Sequence, residues 1–334
     1  MSVYNLLYTM KRVLTWIKPT GEQLHLWNYF GALKPMVEFA NTGEYDMFIF
    51  IPNQHALTAF HDGEAIKKNT INVVKAYLAA GLDASKVHIY NQSDIPGHVQ
   101  LYWVLSCITN MWFMKRMHVY KASVDQWTQD DISVGTFNYP ILMAADIILY
   151  DAHLVPVGKD QKQHVEYARD IAGKFNHMFG DTFILPESMI QKEVATVPGI
   201  DGRKMSKSYN NYIGMFDDTA TILKKVKRIP TWAFAIEDPK DPDACNVYNI
   251  FKLFLNKEED IVLRKRYTDG GLSYKVIKHE LAAYISDFLA PIQEAYATIS
   301  DEQVKNILAA GAKHVEKISE KKIADVYTKV GFSV

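Results

Sequence analysis

Lys204 and Lys207, three apart in Gly202-Arg203-Lys204-Met205-Ser206-Lys207-Ser208, are the side chains in this sequence most suited to phosphate chemistry. A Lys ammonium is a compact charge on a long stem, and it follows negative charge as that charge develops on a transferring phosphoryl group. Opened by a glycine and spaced by small hydroxyl residues, the stretch reads as a flexible cationic loop, with Tyr209-Asn210-Asn211 behind it. A solvated basic turn is the ordinary reading of two lysines at this spacing, so the loop needs partners elsewhere. A second constellation lies upstream. Tyr139, Met143 and Asp146 fall at i, i+4 and i+7 of an otherwise apolar helical stretch, so one helix face carries all three. A carboxylate there is expensive to bury without a partner; an Asp bonded to a neighbouring backbone group is the plain alternative. Asp160-Gln161 opens a helix that carries Gln163, His164 and Arg169. Asp160 is equally suited to capping that helix, and His164 to a structural role.

The elements that must position these groups alternate strand and helix. Val13 to Ile17 is a β-rich run ending in the Pro19-Thr20-Gly21 turn, followed from about His25 by helical spacing through Val37. Met47 to Ile51 is a continuous buried strand closing in Asn53-Gln54-His55, Glu64 to Gly81 is amphipathic, and Val87 to Tyr90 is a third strand. This predicts an α/β, doubly wound parallel, Rossmann-like domain, whose ligands sit outside the carboxyl ends of the strands. Residues 96 to 123 read as helical with an awkward segment at Met111-Trp112-Phe113, Phe137 to Tyr150 as a helix, and Leu154 to Gly158 as a strand end. From Asp217 onward the texture is helical, with helices near 246 to 256, 258 to 268, 274 to 296 and 301 to 329. The expected division is a catalytic domain over 10–212 and an α-helical domain over 213–334, the last helix packing back on the first domain.

At 334 residues, with 48% hydrophobic and 22% charged residues, the chain has ample core and the composition of a globular protein. A net charge of -1 makes no global case for nucleic acid, so RNA contact must rest on local patches such as Lys224, Lys225, Lys227 and Arg228, and no DNA partner is expected. Cys107 and Cys245 alone imply neither a disulfide framework nor a Cys-ligated metal, and suit a reducing cytoplasm. No secretory leader and no apolar run of roughly 18 residues is present, so no membrane span is expected. Met10-Lys11-Arg12 before an apolar strand reads as a natural beginning, with residues 1–9 an overlong start.

Lys18-Pro19-Thr20-Gly21, His25-Leu26-Trp27-Asn28, Phe137-Asn138-Tyr139-Pro140, Leu142 to Asp146, Val155 to His164 and the Lys204 loop together resemble the bacterial tryptophanyl-tRNA synthetases, a class I aminoacyl-tRNA synthetase family. The resemblance runs from about residue 12 to the C-terminus and is most specific over 137–170. It implies ATP-dependent activation of L-tryptophan, transfer to tRNA(Trp), Mg2+ as cofactor, and a homodimer. It implies that Lys18, Pro19, Thr20, His25, Trp27 and Asn28 hold ATP from one side. Gly158, Lys159 and Asp160 would meet the ribose and adenine edge, Val197 would line the adenine pocket, and Lys204, Met205, Ser206, Lys207 and Ser208 would meet the phosphates. Lys204, Lys207, Thr20, His25 and Asn28 carry the catalytic roles, and no protein-held metal site is implied. An indole N–H is a donor only, so its pocket needs a buried acceptor in an apolar slot; Asp146 is that acceptor and Met143 the soft wall. Tyrosyl relatives carry Gln where Met143 stands. Tyr139, His55 and Gln161 are the holders of the ammonium and carboxylate. A tyrosine-specific synthetase and an impaired paralogue with an RNA-binding or regulatory role remain the alternatives.

One departure stands out. Trp16 and Trp27 occupy positions where similar proteins carry glycine, and Trp112 and Trp232 fit the same pattern. An indole at 27 is expected to occupy the adenine shelf and weaken ATP binding. One cause accounts for all four: UGA codons, which some bacterial lineages read as glycine, rendered as tryptophan.

Overall fold

Five parallel strands form the sheet of the computed structural model, which describes residues 10–19, 24–117, 133–158, 161–190 and 197–333. They are β1 (Arg12–Trp16), β2 (Asp46–Ile51), β3 (Val87–Asn91), β4 (Leu154–Val157) and β5 (Glu187–Ile190), in the order β3-β2-β1-β4-β5. Val13 pairs with Met47, and Ile49 with Ile89. Period-2 alternation sends the apolar side chains to both faces. Val13, Met47, Ile49, Ile51 and Ile89 join one core, while Leu14, Phe48, Phe50, Tyr90 and Val155 join the other. A sheet buried on both faces needs near-continuous apolar strands, and β2 (Asp-Met-Phe-Ile-Phe-Ile) supplies one. The fifth strand, Glu-Ser-Met-Ile, has no such pattern and was not legible beforehand; its place comes from its ladder with β4.

On the first face lie α1 (Leu26–Asn28), a π-helical turn (Tyr29–Leu33), α2 (Lys34–Asn41) and α4 (Gly63–Ala79). A four-residue helix, α3 (Asn53–Ala56), follows β2 directly. The second face is covered by α5 (Gly97–Ile108), α6 (Met111–Lys115), α7 (Val134–Ile148) and α8 (Lys162–Phe179). The helical reading of 96–123 is thus corrected within the described residues: Thr109 is extended (φ -93, ψ 121), and it separates α5 from α6. Side chains cap several of these helices, Asp62 accepting from the Glu64 and Ala65 amides and Ser133 from that of Thr136.

Beyond residue 213 the chain is helical: α9 (Thr219–Lys227), α10 (Asn246–Phe251), α11 (Lys257–Thr268), α12 (Tyr274–Thr298) and α13 (Asp301–Val330). The last helix returns to the sheet and crosses its edge strand, β3. Val304 and Leu308 lie in the first core, and Val315, Ile323 and Val326 in the second. Gly311 sits at the crossing, where an added Cβ would lie 1.9 Å from the Ile89 carbonyl oxygen. Only a residue without a side chain allows that approach. His314 stacks on His88 next to the crossing, with ring centroids 3.8 Å apart. No helix among the described residues is long and apolar enough to cross a membrane.

Candidate active site

Crossovers leave β1 in opposite directions toward β2 and β4, so the crevice at the carboxyl ends of those strands is the topological switch point of the sheet. A pocket of about 390 Å³ opens there. Lys18 and Pro19 reach it from the end of β1, His55 from α3, Tyr139 and Met143 from α7, and Gln161 from the start of α8. Trp16 also lines it, tilted against Phe50 with ring centroids 6.2 Å apart. Apolar walls with a few convergent polar groups are the usual make-up of a small-molecule site. Burial raises the Tyr139 phenol to about 12, so it stays a neutral hydrogen-bonding group.

Asp146 lies one turn beyond Met143 on the same face of α7. Its side chain has no exposed surface and does not itself line the pocket. His55 Nε2 stands 2.7 Å from Oδ2, while Gln92 Nε2 donates to Oδ1 at 2.8 Å and His98 Nδ1 stands 2.6 Å from the same oxygen. Burial pushes the carboxyl upward, but attraction to His98 and hydrogen bonds from His55 and His98 outweigh it and bring it down to about 2. The acid is therefore an ionised, acceptor-only group at the base of the pocket.

The cationic loop is a knotted structure. Pro198 bridges Lys204, the Met205 amide donates to the Val197 carbonyl at 3.0 Å, and the Gly199 amide to Arg203 at 2.7 Å. Buried Asn211 ties it together, accepting from the Ser206 amide at 2.7 Å and donating to Asp201 at 2.7 Å and the Lys204 carbonyl at 3.1 Å. Val197 and Met205 are buried in the core, so the loop is anchored by its apolar residues and presents Lys204 and Lys207 outward.

Directly after the loop, the chain pairs with the segment that opens α1. The Leu26 amide donates to Ile213 (3.0 Å) and the Met215 amide to Leu24 (2.8 Å), around a His25–Gly214 bridge. The His25 and Lys204 stretches, distant in sequence, thereby share one backbone frame. His25 is 4% exposed; burial first, then the Lys207 charge, lower its imidazole to about 4, so it is neutral at pH 7. Asn28 Oδ1 accepts the His25 amide at 3.0 Å. Trp27 fills the space between the two stretches: its ring stacks on His25 (6.1 Å, 28°), and Lys204 Nζ lies 4.5 Å from its centroid.

The described site residues thus fall into two groups. The pocket gathers Lys18, Pro19, His55, Tyr139, Met143 and Gln161, with Asp146 behind it. The loop frame gathers His25, Trp27, Asn28, Val197, Met205, Ser206, Lys204 and Lys207. Gly158 follows β4, and its carbonyl accepts the Gln161 amide at 3.0 Å. Thr20, Lys159, Asp160 and the Ser208 side chain lie outside the described residues. Of the basic patch, Lys225 turns inward onto Asp217 (2.6 Å) and Tyr212, which leaves Lys224, Lys227 and Arg228 on the surface. Sequence reasoning missed Gln92 and His98; the position of Gln92 just past the end of β3 was the available signal. Among the described residues no group of three His, Cys, Asp or Glu could hold a metal ion.

The family model for class I tRNA synthetases (W and Y) matches residues 9–290. The tryptophan–tRNA ligase of Campylobacter jejuni is 43% identical over 322 residues, covering 96% of this chain and 99% of that one. That of Bordetella pertussis is 40% identical over 333 residues, covering 97% of this chain and 73% of its own. Among solved structures, Campylobacter jejuni tryptophanyl-tRNA synthetase complexed with ADP and tryptophan gives a TM-score of 0.88 at 43% identity, covering 96% of this chain and 99% of that one. The enzyme from Mycoplasma pneumoniae gives 0.77 at 29%, covering 96% and 98%. With matches of this extent, joined to a parallel sheet with a pocket at its switch point and to a Lys-Met-Ser-Lys-Ser loop framed against the His25 stretch, the chain belongs to the class I aminoacyl-tRNA synthetases, and within them to the bacterial tryptophanyl-tRNA synthetases.

Proposed function

We propose that this chain activates L-tryptophan with ATP to tryptophanyl-adenylate and pyrophosphate, then transfers the aminoacyl group to tRNA(Trp) with release of AMP. Tryptophan-specific relatives over nearly the whole chain favour this over the tyrosine-specific and impaired-paralogue alternatives. The observation that carries it is an apolar pocket backed by an ionised, fully buried carboxylate, in a chain that also carries a two-lysine loop held in shape by Asn211.

In the first step a tryptophan carboxylate oxygen attacks the α-phosphorus in line, and the bond to pyrophosphate breaks. No proton has to move, so catalysis rests on positioning and charge stabilisation. Lys204 and Lys207 take the charge growing on the leaving pyrophosphate, while His25, Asn28, Thr20, Lys18 and Pro19 hold ATP from the opposite side. Gly158, Lys159 and Asp160 meet the ribose, and the Val197 backbone meets adenine. Mg2+ enters with the nucleotide: the described residues offer it no cage, and phosphate oxygens with water are its ordinary ligands. Tyr139, His55 and Gln161 hold the ammonium and carboxylate, Met143 packs on the ring, and Asp146 accepts the indole N–H. The carboxylate is fully buried behind the pocket wall, so that wall has to give way locally for an indole N–H to reach it.

Exposed Lys224, Lys227 and Arg228 are the tRNA-facing charges of the helical part, by sign and exposure. A second copy of the chain is the proposed occupant of the apolar surface formed by Leu57, Val99, Trp103 and Val134, which are 57%, 48%, 61% and 75% exposed. The free thiols Cys107 and Cys245 suit the cytoplasm.

Tryptophan-dependent ATP–pyrophosphate exchange tests the reading. Asp146→Ala is expected to lower kcat/KM for tryptophan by about 10²-fold or more, since a hydrogen-bonding site loses that much when unpaired. A near-normal value, or turnover of tyrosine in place of tryptophan, overturns it.

A further inference from the structure

Asp146 is held from three sides by groups that never reach the pocket wall, apart from His55. Gln92, fully buried, uses both ends of its amide: Nε2 donates to Asp146 Oδ1 at 2.8 Å, and Oε1 accepts the Gln54 and His55 amides at 3.2 and 3.4 Å. His98, fully buried near the start of α5, also uses both ends: Nδ1 is 2.6 Å from Asp146 Oδ1, and Nε2 is 2.9 Å from the Tyr150 hydroxyl. His55 Nε2 takes Oδ2 at 2.7 Å. A closed circuit results, since Gln92 fixes the backbone of the helix whose His55 ring returns to the same carboxylate.

We infer that Gln92 and His98, with Tyr150 behind His98, are positioning residues for recognition of the indole N–H, locking the Asp146 carboxylate in one orientation with a single acceptor direction left open. The inference rests on Asp146 being the indole acceptor. A carboxylate offers roughly four lone-pair directions; Gln92 donates to one, and the His55 and His98 ring nitrogens stand 2.7 and 2.6 Å away and occupy two more. The fourth matches the one donor of an indole. Turning the carboxylate to meet any other hydrogen-bonding pattern strips at least one buried donor of its partner. A tyrosine hydroxyl can donate to the same acceptor, but its own oxygen then finds no donor there, because the groups around the carboxylate are already engaged with it. Neither Gln92 nor His98 lines the pocket, so His98 acts through Asp146, and Gln92 through Asp146 and the backbone that carries His55.

The test is calorimetric binding of L-tryptophan and of β-(3-benzothienyl)-L-alanine, in which sulfur replaces the ring N–H, to the full chain. In His98→Leu and Gln92→Leu the preference for tryptophan over the analogue is expected to fall about 10-fold, through weaker tryptophan binding, with the analogue little changed. His98→Asn, whose amide places a donor where Nδ1 stood, is expected to restore most of the preference. If the leucine variants fail to fold, Tyr150→Phe removes one core hydroxyl and is expected to lower the preference by about 2- to 3-fold. An unchanged preference in the folded variants, or equal losses for both ligands, overturns the inference. Asp146→Asn separates the two readings. If it abolishes the preference while the Gln92 and His98 variants keep it, only the positioning roles fall; if it leaves the preference intact, the acceptor assignment falls and the positioning roles with it.

Discussion

Replacing Trp27 with glycine should weaken the fold and strengthen ATP binding at once. The indole is half-buried between His25 and Lys204, with the lysine 4.5 Å from its centroid. A fully buried aromatic covers about 150–250 Å², worth about 4–6 kcal/mol at 25 cal/mol per Å², so half-burial amounts to about 2–3 kcal/mol. The cation–π contact adds about 0.5–1 kcal/mol. For ATP to engage Lys204 on the face of His25, the ring must swing out, losing the cation–π contact and part of the burial, about 2 kcal/mol together. That cost reduces apparent affinity by about 30-fold, because only the swung-out fraction is competent. In Trp27→Gly the cost vanishes, so KM for ATP in tryptophan-dependent pyrophosphate exchange should fall by about 10- to 100-fold, with KM for tryptophan unchanged. The same variant loses the packing and about 1 kcal/mol of helix propensity, so its melting temperature should drop by several degrees. Affinity and stability therefore move in opposite directions. A folded Trp27→Gly protein whose KM for ATP is unchanged or higher refutes the reasoning.

Gly311→Ala places a methyl 1.9 Å from the Ile89 carbonyl oxygen, so α13 has to retreat from β3; a loss of about 2–4 kcal/mol by urea unfolding is expected, against a gain of up to about 1 kcal/mol if the helix were free. Stability should also fall in acid through Asp146. Its folded carboxyl titrates at about 2 against an ordinary 3.8, so the contribution, on the order of 2 kcal/mol, is fully present above pH 4 and is lost as pH drops through 2. Asp146→Asn should flatten that limb of the urea midpoint plotted against pH, and an unaltered limb would assign it to other acids. The codons at 16, 27, 112 and 232 should all be UGA, with UGG at 103, and peptide masses from the native protein should show glycine at those four positions; a UGG at 27 makes the indole a native feature of the nucleotide site.

The strands were legible where burial on both faces demanded unbroken apolar runs, as in β2, and illegible in β5, whose Glu187 and Ser188 carry no such demand and owe their strand geometry to pairing with Val155 and its neighbours. Helical spacing put Tyr139, Met143 and Asp146 on one face, and the structure keeps Tyr139 and Met143 on the pocket wall. Spacing could not place the carboxylate behind His55, because that depends on Gln92 and His98 arriving from separate elements. Likewise Lys225 reads as one more charge in a basic run, and only the packing of α9 turns it toward Asp217. The π turn at Tyr29–Leu33 carried no local signal, whereas the break after Ile108 falls at Thr109-Asn110, directly before the Met111-Trp112-Phe113 segment that interrupts the helical reading.

The crossing of α13 over β3 orders events during synthesis. Residues 301–330 leave the ribosome about 200 residues after the strand they cover, an interval on the order of 10–40 s at typical elongation rates. Through that interval the rest of the sheet can assemble while β3 presents an uncovered edge and both cores stay open along it, the condition under which nascent chains pair with one another. The burden on chaperones should therefore end with the emergence of the last helix, and chains stalled before it should be preferential targets for holdases and proteases.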